Sequence, residues 1–441
     1  LQSGRRPPLI ALAAPTGKAA ARMEEAVRTE AARIDTSEEV RERLETVGGS
    51  TLHRLLGNRF DRPGQFRHHG DHLLPHDVVI VDEASMVSLS MMARLIEAVP
   101  AESKLVLVGD PEQLVSVEAG AVLADIVGPA GAPASPGATE PATAGIAAGA
   151  PRPATDEGTA AAPRPVPDIA RSITILRRNH RFSGALAQLS EAVRSGRSDD
   201  VAAILTSGDP AVSWIDADSA AALNPGSGQE APALAFLRDE ARQWGVAVAA
   251  GARAGDVTST IELLRHHRYL CAHRRGPAGV VAWNSAIEAW IAESDPAVGS
   301  GRWYPGRPVL VTLNDYSLGL YNGDTGVAVV RPGSGGRLTV AFDEGRGREV
   351  RSVSPTRLGA IETVFAMTVH KSQGSEFDRV TLLLPPSGSR LLTRELVYTA
   401  VTRARKAVSI VGTADALRTA VETPISRASG LGRRLWSATG V

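Results

Sequence analysis

Lysine is the scarcest charge in this 441-residue chain: of 48 basic residues, only Lys18, Lys104, Lys371 and Lys406 are lysines. There is one cysteine, Cys271, and aromatic residues make up 4% of the chain. A single cysteine excludes an internal disulfide and fits a reducing compartment, so a cytoplasmic location is expected. The 48 acidic residues cancel the 48 basic ones. No global basic field therefore announces nucleic acid, although a local groove would need none. No apolar run approaches the roughly 20 residues of a membrane span, and no membrane partner is expected. The lysine shortage decides a sharper question. The phosphate-binding loop of an NTPase reads G-x-x-x-x-G-K-[ST], and Gly17-Lys18 is the one Gly-Lys pair in the chain. Counting from it, Leu12 stands where the first glycine belongs and Ala19 where the Mg²⁺-binding hydroxyl belongs. These 441 residues hold no complete Walker A loop.

What is present is ordinary for a globular protein of two or three domains, with 43% hydrophobic and 22% charged residues. The runs "LIALA" (9–13), "HDVVIVDEAS" (76–85) and "SKLVLVGDPEQL" (103–114) read as strands alternating with helical segments. That alternation predicts a parallel α/β sheet over 1–127, with functional groups at the carboxyl ends of its strands. Residues 128–168 are Pro, Ala, Gly and Thr with little to bury, and read as a disordered insertion, a solvated linker in preference to a functional tail. A second α/β block comes next in two parts, 169–302 and 358–441. Between them, 303–357 holds short β-rich pieces split by Gly-rich turns, the pattern of a small antiparallel barrel. The chain opens on Leu1 instead of Met and reads as a fragment.

Four constellations carry chemistry. Asp82-Glu83 ends the Val78–Val81 strand. Paired carboxylates there suit metal-assisted hydrolysis, Asp82 holding the Mg²⁺ shell and Glu83 orienting the attacking water. An acidic helix cap is the competing reading. One strand later, Gln113 of "GDPEQ" can hydrogen-bond a γ-phosphate without adding charge; alone, the segment would read as a turn. The runs "RRNHRF" (177–182) and "YTAVTRAR" (398–405) offer guanidinium groups for phosphoryl charge, and solvated basic helix ends are the alternative. "AMTVHKSQGSEFD" (366–378) packs small, hydroxyl and imidazole residues into one strand-to-helix crossing, which suits close approach to a nucleic-acid backbone.

The order of "LAAPTGKAAARM", "TLHRLLG" (51–57), "VVIVDEASMV", "LVLVGDPEQLVSVEAGAVL", "RNHRF", "AMTVHKSQGSEFD" and "LVYTAVTRAR" resembles the motif series of superfamily 1 helicases. "VEAGAVL", "HRRGPAGVVAWN" (273–284) and "GRPVLVTLNDYSLGLYNGDTGVAV" (306–328) are closest to the RecD-type (alpha) subunits of exodeoxyribonuclease V. The resemblance implies two RecA-like motor domains with an SH3-like β-barrel inserted in the second. It implies an ATP- and Mg²⁺-dependent 5′→3′ DNA helicase acting on single-stranded DNA and DNA ends, beside RecB-like and RecC-like subunits. Asp82, Glu83, Gln113, Arg181 and Arg403 would serve hydrolysis, with Gly374 and Glu376 also at the nucleotide. Pro15, Thr16, Lys18, Thr51, His53, Thr368, His370, Ser372 and Gln373 would contact DNA. "APTGKAA" then resembles motif Ia, which touches DNA, and a Walker A is expected roughly 30 residues upstream of Leu9. Two rival readings are a stand-alone RecD-like or relaxase-associated helicase, and a non-catalytic DNA-binding scaffold that truly lacks the loop.

Overall fold

A computed structural model describes residues 6–58, 64–115, 120–128, 168–176, 182–223, 232–315, 317–343, 350–425 and 430–436. The expected insertion falls almost wholly outside the described residues, as does Arg181. The first α/β region runs β1 (Ile10–Ala14), α1 (Gly17–Ala31), α2 (Glu38–Thr46), β2 (Gly49–Thr51), α3 (Leu52–Leu55), β3 (Val78–Val81), α4 (Leu89–Ala98), β4 (Lys104–Leu107) and α5 (Val122–Val127). Its strands pair parallel in the order β2-β1-β3-β4. Helix and loop side chains such as Leu52, Leu56, Met92 and Leu95 cover Val79 and Val81, as an all-parallel sheet requires. The β4 edge is barer. Leu105 to Leu107 are only partly buried, and Val108 just beyond them is 46% exposed.

The second region begins with α6 (Ala185–Arg194), α7 (Ser198–Leu205), β5 (Val212–Ile215), α8 (Pro232–Ala254), α9 (Val257–His266), β6 (His267–Cys271) and α10 (Val280–Ala292). The chain then leaves the sheet for β7 (Pro308–Val311), β8 (Thr325–Val330), β9 (Leu338–Phe342), β10 (Arg351–Val353) and β11 (Ile361–Thr363). It returns as β12 (Ala366–Thr368), α11 (Val369–Ser372), β13 (Phe377–Leu383), α12 (Arg394–Val401), β14 (Ala404–Val411), α13 (Ala414–Glu422) and α14 (Leu431–Trp436). The second parallel sheet has the order β12-β6-β13-β14-β5. One face carries an aliphatic core around Leu396, Val401 and Leu417; the other carries the aromatic stack Trp244, Tyr269, Trp283 and Trp290.

The excursion is an antiparallel sheet ordered β10-β9-β8-β7-β11 around Val309, Val340 and Phe342. Among the described residues no hydrogen-bonded pairing joins β10 to β11, so closure into an SH3-like barrel is not shown. Alternating apolar residues and glycine turns specify neighbouring hairpins; they do not specify whether the outer strands meet. Among the described residues, no helix is long and apolar enough to cross a membrane.

Candidate functional site

The carboxyl ends of the first sheet carry three of the expected elements. Thr16 has extended backbone (φ −120°), and its hydroxyl accepts from the Ala19 amide at 3.2 Å, capping α1. This is the ordinary reason for Thr at a helix start. On the neighbouring strand, in register with Ala14, Thr51 caps α3 by accepting from Arg54 N at 3.3 Å, with His53 exposed two residues further on. Pro15 and Thr16 are half-buried. Lys18 does not reach outward. Its ammonium donates to Ser375 Oγ at 2.8 Å, 357 residues away, with Arg22, Asp324 and Asp343 in its electrostatic surroundings. Burial, reinforced by the Arg22 charge, lowers its pKa to about 8. The ring of Tyr321, from the β excursion, lies against Gly17; a Cβ there would come within 2.8 Å of it.

Asp82 and Glu83 end β3 as expected, in a conformation the sequence does not announce. Glu83 has φ 51° and ψ 40°, the one non-glycine residue with positive φ among those described. Left-handed backbone costs an L-residue about 1–2 kcal/mol. The Asp82 carboxylate accepts the Glu83 amide at 2.8 Å, and Ala84 N donates to Val108 O at 2.9 Å, which fixes the turn against the neighbouring strand. Gly109 is required there: a Cβ would sit 2.8 Å from Leu123 Cδ2 and 3.0 Å from Ala84 N. The turn that follows the carboxylate pair therefore packs against the start of the Gln113 loop at Gly109. Glu83 precedes the short 3₁₀ turn Ala84–Met86 without a side-chain capping hydrogen bond to it.

The loop after β4 joins the two parallel sheets. Asp110 accepts from Glu112 N at 3.0 Å and from Gln113 Nε2 at 3.1 Å. That orients the amide so that Gln113 Oε1 accepts from Arg403 Nη2 at 3.0 Å. Arg403 is 3% exposed and also donates to Thr399 O at 3.3 Å and toward Ser375 O at 3.5 Å. Tyr398 hydrogen-bonds Asp110; burial first, then the Asp110 charge, raises its pKa. Glu112 is raised by burial, with Arg194 opposing. Leu114 crosses over completely. Its amide donates to Thr399 Oγ1 at 2.7 Å, its carbonyl accepts from Gln373 Nε2 at 2.6 Å, and its side chain lies in the aliphatic core of the second sheet.

On the second sheet, Thr368 caps α11, accepting from Lys371 N at 3.2 Å, and His370 is half-buried beside it. Ser372 is fully buried and donates to Val369 O at 2.7 Å. Gly374 has φ 69° with open space where a side chain would go, and Glu376 is half-buried. The structure thus brings Gln113, Arg403, Lys18, Ser375 and Gln373 to one seam. Thr16, Thr51 and His53 gather at the end of the first sheet. Leu114, Ser375, Tyr398 and Thr399 join the seam although the sequence did not single them out, and all four lie inside the motif runs. Among the described residues, no three His, Cys, Asp or Glu side chains form a metal cage.

Two family models match the chain: an AAA domain over residues 2–119 and a UvrD-like helicase C-terminal domain over 363–411. The RecBCD enzyme subunit RecD of Mycolicibacterium smegmatis is 44% identical over 433 residues, covering 98% of this chain and 67% of that protein. The Haemophilus influenzae RecD is 32% identical, covering 97% of this chain and 65% of its own length. The ATP-dependent RecD2 DNA helicase of Deinococcus radiodurans is 29% identical across 92% of this chain and 43% of that one. A Bacteroides Pif1 structure bound to single-stranded DNA aligns over 96% of this chain and 86% of that chain, with a TM-score of 0.44 at 16% identity. The chain spans about two thirds of the length of the RecD relatives it matches. Its motif order, its paired parallel sheets and identity at this level across nearly its whole length agree: the chain belongs to the RecD family of the RecBCD enzyme.

Proposed function

We propose that the protein containing this chain is the ATP-dependent DNA helicase subunit of a RecBCD-type exonuclease V, translocating 5′→3′ along single-stranded DNA in double-strand break repair and recombination. RecB-like and RecC-like subunits are its partners. The observation that carries this reading is the Gln113–Arg403 hydrogen bond at 3.0 Å. A neutral amide from one sheet and a guanidinium from the other meet at the seam, the donor set suited to a γ-phosphate. A scaffold without turnover would have no use for that pair beside a strained carboxylate turn.

The donor set also fits Mg²⁺. This ion keeps most of its water and is bound through one or two carboxylates plus phosphates, so Asp82 suffices without a protein cage. When bound, ATP·Mg²⁺ supplies the phosphoryl group and its charge neutralisation. Within the chain, Glu83 orients and deprotonates the attacking water, its left-handed backbone fixing the carboxylate at the strand end. Gln113 and Arg403 face the γ-phosphate, with Gly374 and Glu376 lining the same cleft; Arg181, outside the described residues, is assigned the same charge-stabilising role on its motif alone. Pro15, Thr16, Lys18, Thr51 and His53 on one sheet, and Thr368 and His370 on the other, hold the DNA strand, while Ser372 and Gln373, buried and bonded to main-chain carbonyls, brace the second turn; alternating grip converts closure into stepping. The test is Glu83→Gln in the full-length protein. Hydrolysis should vanish while nucleotide binding stays, because the carboxylate acts on water. Wild-type turnover in that variant would remove Glu83 from its role.

A further inference from the structure

We infer that Leu114 is the mechanical joint between the nucleotide-reading loop and the DNA-facing loop, and that Thr399 and Gln373 are positioning residues that couple the two. This rests on the motor reading above and deepens it. Residues 110–114 belong by sequence to the first sheet, yet Leu114 is 3% exposed inside the second sheet's core, among neighbours such as Leu396 and Val401. Both of its backbone polar groups are taken by side chains of the other sheet, Thr399 Oγ1 on the amide and Gln373 Nε2 on the carbonyl. Thr399 is fully buried and Gln373 is 8% exposed, so neither bond has water as a ready substitute. Gln113, the preceding residue, is locked to Asp110 on one side and Arg403 on the other.

The consequence is directional. A shift of Gln113 toward or away from a γ-phosphate must carry Leu114 with it, since both residues share one peptide unit. Leu114 cannot move without dragging Gln373, which sits in the Thr368-to-Gln373 segment assigned to DNA. Gln373 is therefore spent on a main-chain carbonyl, and its contribution is transmission instead of direct contact with DNA. Thr399 supplies the second attachment, so that the peptide is held from both sides and cannot pivot about a single bond.

The experiment uses the full-length protein with poly-dT as the probe, measuring hydrolysis with and without DNA, single-strand affinity and melting temperature. Thr399→Val keeps shape and burial but removes the hydroxyl. Basal hydrolysis and poly-dT affinity should be unchanged, while stimulation by DNA falls at least about fivefold, the low end of a typical coupling between sites. Thr399→Ser restores the hydroxyl and should restore stimulation. Gln373→Leu should lose stimulation at unchanged poly-dT affinity; a weakened affinity instead would put Gln373 on DNA and overturn the clamp. Thr399→Val with normal stimulation would overturn it equally. If Thr399→Val unfolds, Thr399→Ser and Gln373→Leu still decide between these outcomes. A wild-type protein with no DNA-stimulated hydrolysis would sink the motor reading itself, which separates the two failures.

Discussion

Thr51-Leu52-His53-Arg54 and Thr368-Val369-His370-Lys371 are near copies at matching places in two sheets. Each threonine ends the strand at one edge of a parallel sheet. Their backbones agree to within a few degrees (φ −74° and −73°, ψ 152° and 150°), and each hydroxyl caps the adjoining turn. Beyond the caps the two segments diverge. After the first, His53 is exposed and its ring lies 6.0 Å from Phe66. After the second, Ser372 and Gln373 are buried, and Gln373 is bonded to the other sheet. Local capping chemistry sets the same backbone twice, and the surroundings then divide the labour. The first turn stands at the open end of its sheet; the second is bonded through Gln373 to the loop that carries Gln113.

The strongest way to break this division is Arg403→Ala. An arginine serving phosphoryl charge is worth about 10³-fold or more in turnover, so hydrolysis should collapse while single-strand affinity measured by anisotropy holds. Loss of affinity of the same size would erase the distinction between the sides. Next come Thr51→Ala and Thr368→Ala, each removing a cap worth about 1 kcal/mol. Matched losses in melting experiments are expected, with weaker single-strand binding in both. Reduced DNA stimulation of hydrolysis at saturating DNA should appear in Thr368→Ala alone; its appearance in both would make the two turns functional equals. Gly374→Ala forces a side chain into φ 69° and should destabilise the second turn by about 1 kcal/mol, read by denaturant unfolding.

The smallest expected effect is electrostatic and belongs to Lys18, which is partly exposed. Its folded pKa of about 8 lies below the ordinary lysine value of 10.5. Between those values the folded protein holds fewer protons on this group than the unfolded chain does, so its contribution makes stability rise with pH across that window. Lys18→Met should flatten the slope. Should phosphate displace Ser375 as its partner, single-strand binding near pH 8 to 9 will take up a proton, a quantity calorimetry in two buffers can measure.

Much of this architecture was legible in the residues. Runs of β-branched residues ending in polar turns marked the parallel strands, and Thr-Gly-Lys before an alanine-rich segment marked a capped helix start. Those features depend on neighbours within one turn or one strand. The seam does not. Lys18 to Ser375 and Leu114 to Thr399 span 357 and 285 residues, and no periodicity encodes which distant partner a side chain will meet. Lys18 illustrates the limit, since a lysine at a helix start reads as an outward charge until the second sheet covers it. Glu83 illustrates another, because glycine, Asn and Asp advertise left-handed backbone and glutamate does not. Barrel closure was illegible for the reason that hairpin signals are local and closure is global.

The buried Leu114 also constrains the geometry of motion. A residue whose side chain, amide and carbonyl are all held by the second sheet travels with that sheet, although its chain emerges from the first. Any relative rotation of the two regions must then be taken up on either side of Leu114, on the near side between Gly109 and Gln113, a span of five residues. A probe at Leu114 should therefore keep its distance to probes in the second sheet through a cycle, while its distance to probes in the first sheet changes.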